Sequence, residues 1–410
     1  MAIELAVFAA VYAGMVLGRL PRLALDRTGI ALLGAIALVA SGAMTLADAG
    51  RSVDVATLLL LFGLMVVSAQ LQLGGFYGWV ARALAGAPLS PPALLAAQIA
   101  ATGALSAIFT NDVVCLATAP IWIEACARRR LDPLPFLLAL ACASNVGSAA
   151  TLIGNPQNIL IGQSLVLPFR GYLAYASAPA LLGLAATWAI IAWQFRGAWS
   201  AETPIARAVV AEDDAVARFD AWQTSKGLAV VAVLLVVFIA TPWPREIAAL
   251  AGAGALLTSR RLHSRDKLAL VDWQLLVLFL GLFVVNGALA ATGAPDAAVA
   301  WLRGQGVDLE HPTWLFGATV LLSNLVSNVP AVMLLLPVAR DPIDAPLLAL
   351  ASTLAGNLVL VGSIANLIVA EAAGRHGIAF DWGRHARTGI PVTLATLAIA
   401  AAALFGFESH

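Results

Sequence analysis

Charge is scarce in this 410-residue chain. Asp, Glu, Lys and Arg together supply 11% of it, against roughly 25% in a soluble globular domain. The signs balance, 23 basic against 23 acidic, so no net positive field is available to attract nucleic acid. Cysteine appears three times, at Cys115, Cys126 and Cys142, always in or beside apolar sequence. An odd count so placed argues against a disulfide framework and for small buried hydrophobes. The five histidines, His263, His311, His376, His385 and His410, are expected in loops or at the terminus and lack metal-ligand spacing. No nucleophile-and-base set, phosphate loop or redox motif stands out, so an enzyme is not expected, nor any organic cofactor.

What the chain has is oil. Hydrophobic residues make up 61% and the mean hydropathy is +0.91. Apolar runs of about 20 residues, the length that spans a bilayer core as a helix, recur along the whole length. The first has no cationic segment before it and no small-residue cleavage site after it, so it reads as a span and not as a cleaved signal. Spans are predicted at about 3–18, 29–45, 55–73, 134–168 (interrupted), 174–195, 226–241, 246–258, 272–291, 346–372 (interrupted) and 387–407. Two further stretches, 93–127 and 312–339, are too long for one helix and are broken in the middle. Each is read as a re-entrant hairpin. The fold class expected is an all-α integral membrane protein of about ten transmembrane helices plus two hairpins.

Basic residues collect on the cytoplasmic side of membrane proteins. With both termini outside, in the periplasm of an inner-membrane protein, all but five of the 23 basic residues fall inside. The exceptions are Arg51, Arg170, Arg245, Arg303 and Arg340. Treating either hairpin as a crossing would move later clusters to the wrong side. Residues 197–224 are the one long polar connection and read as a cytoplasmic linker.

The linker separates two halves, 1–196 and 225–410, that resemble each other. "DVATLLLLFGLMVVSAQLQLGG" from Asp54 aligns without a gap with "DWQLLVLFLGLFVVNGALAATG" from Asp272, matching Gly63 to Gly281. "TNDVVCLATAP" (110–120) aligns with "SNVPAVMLLLP" (327–337), matching Asn111 to Asn328. "GNPQNILI" (154–161) aligns with "GSIANLIV" (362–369), matching Gly154 to Gly362 and Asn158 to Asn366. Five crossings per half would invert the second copy. Inverted repeats with discontinuous helices are the build of secondary transporters, whose sites lie at midplane between the repeats.

Backbone polar groups in hydrocarbon must be paired, so a broken helix at that depth survives only against protein or a watery cavity. Thr110-Asn111 and Ser327-Asn328 are N-cap-type pairs before apolar helical runs, and Pro330 suits a first turn. The two tips would aim helix N-termini, with free N–H donors and partial positive charge, at a small anion. Thr110, Asn111, Ser327 and Asn328 are therefore the candidate substrate residues. The interrupted spans, "SNVGSAATLIGNPQN" (144–158) and "GNLVLVGSIAN" (356–366), offer unwound carbonyls and amide oxygens, hard ligands suited to Na⁺. Asn145, Thr151, Gly154, Asn155, Asn158, Asn357, Gly362, Ser363 and Asn366 are the candidate ion-coupling positions. Asp112 joins them as the one carboxylate expected deep in the membrane, where a charge is costly and marks function. Its repeat partner is Val329, so the halves differ chemically.

These motifs resemble the ion transporter superfamily, which contains the divalent anion/sodium symporters, the arsenite permeases and anion permeases with a citrate-transporter-like domain. "TNDVVCLATAP" looks like the hairpin tip of arsenite-permease-like members. "GNPQNILI" and "GNLVLVGSIANLIVAE" look like paired sodium-clamp loops. The resemblance implies a scaffold that stays still while a transport domain carries the site across the membrane, an elevator, and makes a homodimer plausible. Dicarboxylate symporters carry Ser-Asn-Thr at both tips. Here only the central Asn and a preceding hydroxyl match, which speaks against a dicarboxylate. The function expected is secondary transport of a small inorganic anion coupled to Na⁺ or H⁺. Two alternatives stay open: arsenite or antimonite efflux driven by proton entry, and a passive anion channel.

Overall fold

A computed structural model describes residues 1–18, 24–200 and 218–406. Arg19, Arg22 and Arg207, and most of the expected linker, lie outside them. The described residues form helices, with two short 3-10 turns and one isolated bridge between Leu131 and Ser200.

The first half contains α1 (Ala2–Leu17), α2 (Arg27–Ala40), α3 (Leu46–Ser52), α4 (Val55–Leu73), α5 (Phe76–Ala85), α6 (Pro91–Ile108), α7 (Asn111–Arg129), α8 (Pro133–Ser148), α9 (Pro156–Ser164) and α10 (Phe169–Gln194). The second contains α11 (Ala221–Ala240), α12 (Arg245–Leu257), α13 (Ser264–Ala269), α14 (Trp273–Ala291), α15 (Ala294–Gly304), α16 (Pro312–Val326), α17 (Asn328–Leu335), α18 (Asp344–Ala355), α19 (Ile364–Arg375) and α20 (Trp382–Gly406). Six of these, α4, α6, α10, α11, α14 and α20, are long and apolar enough to cross a membrane.

Both long apolar stretches break where a polar pair interrupts them. α6 ends at Ile108 and α7 starts at Asn111; α16 ends at Val326 and α17 starts at Asn328. Thr110 and Ser327 occupy the N-cap positions, but neither side chain makes a capping bond. Ser327 instead takes φ 79° and ψ 160°, a region that costs a non-glycine residue about 1–3 kcal/mol. The interrupted spans also break as expected, into α8 and α9 and into α18 and α19.

Four helices are absent from the sequence expectation: α3, α5, α13 and α15. They are short and carry charges, so a spanning-length criterion passes over them. They flank α4 and α14 in the same way in each half. α11 also begins at Ala221, inside the expected linker, because the Asp220 carboxylate accepts from the backbone of Trp222 and Gln223. His385 is not in a loop. It lies in the first turn of α20, fully buried.

Two sets of close helix pairs stand out, with α4–α9, α5–α7 and α14–α17 contacts joining them. In one, α4 lies on α12 and α2 on α14. Glycine permits both approaches. A Cβ on Gly63 would stand 2.8 Å from the carbonyl carbon of Ala249, and a Cβ on Gly281 would stand 2.7 Å from that of Ala31. A side chain at either glycine must push the helices apart. G63A and G281A are each expected to cost about 1–3 kcal/mol, read as earlier thermal unfolding in detergent. G254A on the open face of α12 meets nothing within 4 Å and should leave the transition where it is. In the other group, α6 packs on α8, α16 on α18 and α10 on α20, with α19 lying against α7 and α8.

Candidate functional site

The breaks in α8–α9 and α18–α19 are closed by the same hydrogen bonds. The Asn158 amide donates to the carbonyls of Ser148 (3.3 Å) and Thr151 (2.9 Å). The Asn366 amide donates to those of Gly356 (2.8 Å) and Val359 (3.4 Å). In each case the acceptors lie ten and seven residues upstream. Each asparagine thus stands in for the helical partners that the unwound carbonyls have lost, which makes burial of that backbone tolerable.

Asn145 sits at the centre. Its Oδ1 accepts from Asn111 Nδ2 (2.9 Å) and Ser363 Oγ (2.8 Å). Its Nδ2 donates to Asn357 Oδ1 (2.7 Å) and Asn366 Oδ1 (3.1 Å). All four polar valences of one carboxamide are filled, joining the first hairpin tip and α8, just before its break, to the opposite half's broken helix. Thr353 plays the matching part on α18. Its hydroxyl accepts from Asn155 Nδ2 (3.1 Å) and Gln157 Nε2 (3.2 Å) and donates to Asn158 Oδ1 (3.2 Å). Asn145, Asn155, Asn158, Asn357 and Asn366 are each at most 1% exposed. Ser363 and Asn155 also cap the helices that follow, at Ala365 and Asn158.

Tip and broken helix meet at a glycine on each side. Asn111 donates its backbone N–H to the Gly154 carbonyl at 3.2 Å, and a Cβ on Gly154 would stand 2.7 Å from Ser106 O. A Cβ on Gly362 would stand 3.2 Å from Asn324 Oδ1. Around these junctions lie buried oxygens without a hydrogen-bond partner: Ser106 Oγ and Asn111 Oδ1 at the first, Ser323 Oγ, Asn324 Oδ1 and Asn328 Oδ1 at the second. Ser106 and Ser323 match in the alignment that matches Asn111 to Asn328. Buried polar atoms are normally paired, so these oxygens in corresponding positions are the candidate ligand contacts. No Lys or Arg among the described residues bonds to this cluster.

The structure brings Asn111, Asn145, Asn155, Asn158, Asn357, Ser363 and Asn366 into one network, with Thr151 bonded to Ala107 O beside it. Thr110 and Asp112 turn elsewhere. They line a cavity of ≈ 30 Å³ shared with Ser68 and Gln72 of α4 and with Asp272, the N-cap of α14. Asp112 is half-buried there. Ser327 and Asn328 make no side-chain hydrogen bond among those described. Tip 2 is instead held through its backbone, where the Tyr12 hydroxyl reaches Pro330 O (3.4 Å) and Asn286 Oδ1 (3.0 Å).

Sequence reasoning did not count Thr353, Gln157, Ser106, Ser323 and Asn324 among the candidate site residues. Extending the tip alignment upstream from "TNDVV" and "SNVPA" by a few residues pairs the two serines, so that signal was present. Nothing in the sequence distinguished Thr353 from other threonines in apolar helices.

The comparisons agree with this architecture. A family model described as Citrate transporter (CitMHS) matches residues 12–355. The 46 kDa membrane protein of Mycobacterium leprae is 28% identical over 97% of this chain and 96% of its own length. The silicon efflux transporter LSI3 of Oryza sativa subsp. japonica is 30% identical over 92% of each. Among solved structures, the YdaH transporter of Alcanivorax borkumensis superposes with a TM-score of 0.60 at 16% identity, over 99% of this chain and 97% of that one, a likeness of fold. On the family match, with six apolar helices long enough to span a bilayer, the chain is a multi-pass membrane protein that belongs to the citrate transporter (CitMHS) family.

Proposed function

We propose that this protein is a secondary transporter that moves a small inorganic hydroxo acid, in its neutral form, in exchange for or together with a cation, between two inverted repeats. The observation that carries the reading is the set of unpartnered oxygens at the two tip–helix junctions. The three asparagine oxygens accept; they bind hydroxyl donors or cations and disfavour a bare anion, while the Ser106 and Ser323 hydroxyls can accept or donate. A neutral polyhydroxylated acid such as silicic or arsenous acid supplies donors and requires no basic side chain. The rice relative, named a silicon efflux transporter, is consistent with that class. Na⁺ fits the same oxygens, together with the carbonyls of the unwound stretches.

The packing supports an elevator reading. The group built on α2, α4, α12 and α14 would be the scaffold. The group holding both hairpins and both broken helices would carry the site as an elevator. The matched order of ten helices per half among the described residues, and the matched glycine contacts, support the repeat, with 1–196 and 225–410 as its copies. Both termini would lie in the periplasm.

The second reading, an oxyanion, rests on the N-termini of α7 and α17 at the tips, whose partial positive charge suits an anion. Na⁺ would then have to fill the oxygens first. Thermal unfolding of the purified protein separates the two readings, since a ligand of the folded state raises apparent stability. Silicic or arsenous acid is expected to raise the transition without Na⁺. If only phosphate, sulfate or citrate does so, and only with Na⁺, the oxyanion reading replaces the first.

Asp112 is the expected carrier of coupling. Asp112→Asn keeps the size and the N-terminal position and removes the charge. It should flatten the dependence of transport on pH and on Na⁺ while leaving solute-induced stabilisation intact. A variant with wild-type pH and Na⁺ profiles would make Asp112 a helix-start charge and nothing more.

A further inference from the structure

Two residues that the proposed transport cycle leaves unused occupy matching places behind the broken helices. Tyr172 lies on α10, the helix after the first break, and its hydroxyl donates to Ala149 O at 2.7 Å. His385 lies on α20, the helix after the second, and its Nε2 meets Asn357 O at 3.0 Å. Ala149 and Asn357 each precede the bracing asparagine, Asn158 or Asn366, by nine residues. Ala149 is the first residue past the end of α8 and Asn357 the second past the end of α18. Tyr172 is 2% exposed and His385 fully buried.

The surroundings are built to this contact. Gly389, one turn beyond His385, has no room for a side chain, because a Cβ would overlap Asn357 O and stand 2.9 Å from His385 Nε2. The Phe380 ring lies 6.0 Å from the imidazole. His385 Nδ1 is buried without a partner, so a neutral ring with its proton on Nε2 leaves the fewest groups unmet. Asn357 is also the residue whose Oδ1 takes a hydrogen bond from Asn145. The imidazole therefore fixes the backbone of the residue that reaches the central carboxamide.

We infer that Tyr172 and His385 are paired positioning residues, each bracing a carbonyl at the start of the break in one interrupted helix so that its loop presents oxygens to the site. The inference deepens the transport reading, which supplies the meaning of the site. The bracing itself can be tested without transport. In the repeat, phenol and imidazole do one job with different chemistry, as Asp112 and Val329 differ at the tips.

Hydrogen exchange on the detergent-solubilised full chain decides it. H385F keeps a ring and removes the donor. H385Q keeps a donor nitrogen the same number of bonds from Cα. Losing one such hydrogen bond corresponds to roughly fivefold faster exchange of the amides it holds. H385F should speed exchange across 356–366 by about that factor and leave 148–158 unchanged. Y172F should do the reverse, and H385Q should stay near wild type. Loosening of both stretches by either variant, loosening of neither, or H385Q behaving as H385F would overturn the inference. A wild-type protein silent in transport would overturn the functional reading and leave this one to the exchange pattern.

Discussion

Replacing Asn145 with alanine is expected to reduce transport at least about 100-fold in protein that still reaches the membrane. The reason is the saturation of its carboxamide. Two bonds enter its oxygen, from Asn111 and Ser363, and two leave its nitrogen, to Asn357 and Asn366. Alanine leaves four buried groups unmet, and each unmet group costs about 1–3 kcal/mol unless it finds water or a new partner. The costs do not add simply, because the freed groups can rearrange. They sit on α7 and on both sides of the second break, and Asn145 is the one side chain that bonds to all four, so rearrangement disturbs the site. Asn145→Asp sharpens the test. A carboxylate still accepts from Asn111 and Ser363 but places negative oxygen against the Asn357 and Asn366 oxygens. It should be as inactive as alanine. Uptake measured alongside surface expression checks both, and activity above about a tenth of wild type in either variant would remove Asn145 from the centre of the site.

The second large effect is expected at Gly154. A methyl group there would overlap Ser148 O and stand 2.7 Å from Ser106 O. Both obstacles are backbone carbonyls on packed helices, which cannot yield as a flexible side chain would. Gly154 also supplies the carbonyl that holds Asn111 N–H, so G154A must lift the first tip away from the broken helix. Its counterpart is less crowded. A Cβ on Gly362 would lie 2.9 Å from Gly356 O and 3.2 Å from the Asn324 side chain, which can move. The expected order is therefore definite: G154A loses transport by about two orders of magnitude, and G362A loses clearly less. Steady-state rates in whole cells, normalised to protein level, give the comparison. Equal losses, or the reverse order, would show that the junction geometry does not govern activity.

The sequence made the breaks legible because glycine, asparagine and proline in an oily run leave few alternatives. "SNLVSNVPAVMLLLP" and "SAIFTNDVVCLATAP" could be placed at helix breaks from their polar pairs alone. The direction of those polar groups was another matter. Thr110 and Ser327 read as capping side chains, yet neither caps. The Ser327 backbone is strained, and Thr110 faces the Asp112–Asp272 cavity. The central role of Asn145 was out of reach, since its partners Asn357 and Asn366 lie 212 and 221 residues away. Local propensity carries no information over that distance. His385 was placed in a loop because it precedes the apolar run that begins near 387. In the structure α20 starts five residues earlier, at Trp382, and carries the histidine inward. The four short amphipathic helices were passed over for the opposite reason: their charges looked like loop. Arg82 on α5 and Arg303 on α15 are examples.

The central claim is that a hydroxo acid crosses at the paired tips under the pull of a cation gradient. Uptake into proteoliposomes, with Na⁺ and pH gradients imposed separately and together, tests it most directly. Silicic and arsenous acid are presented beside phosphate, sulfate and citrate. The account predicts that at least one of the two hydroxo acids accumulates against its gradient when one cation gradient is present, and that Asp112→Asn ends the accumulation while sparing exchange at equilibrium. Movement of solute at a rate indifferent to both gradients, in wild type and variant alike, would contradict it and point to a passive channel.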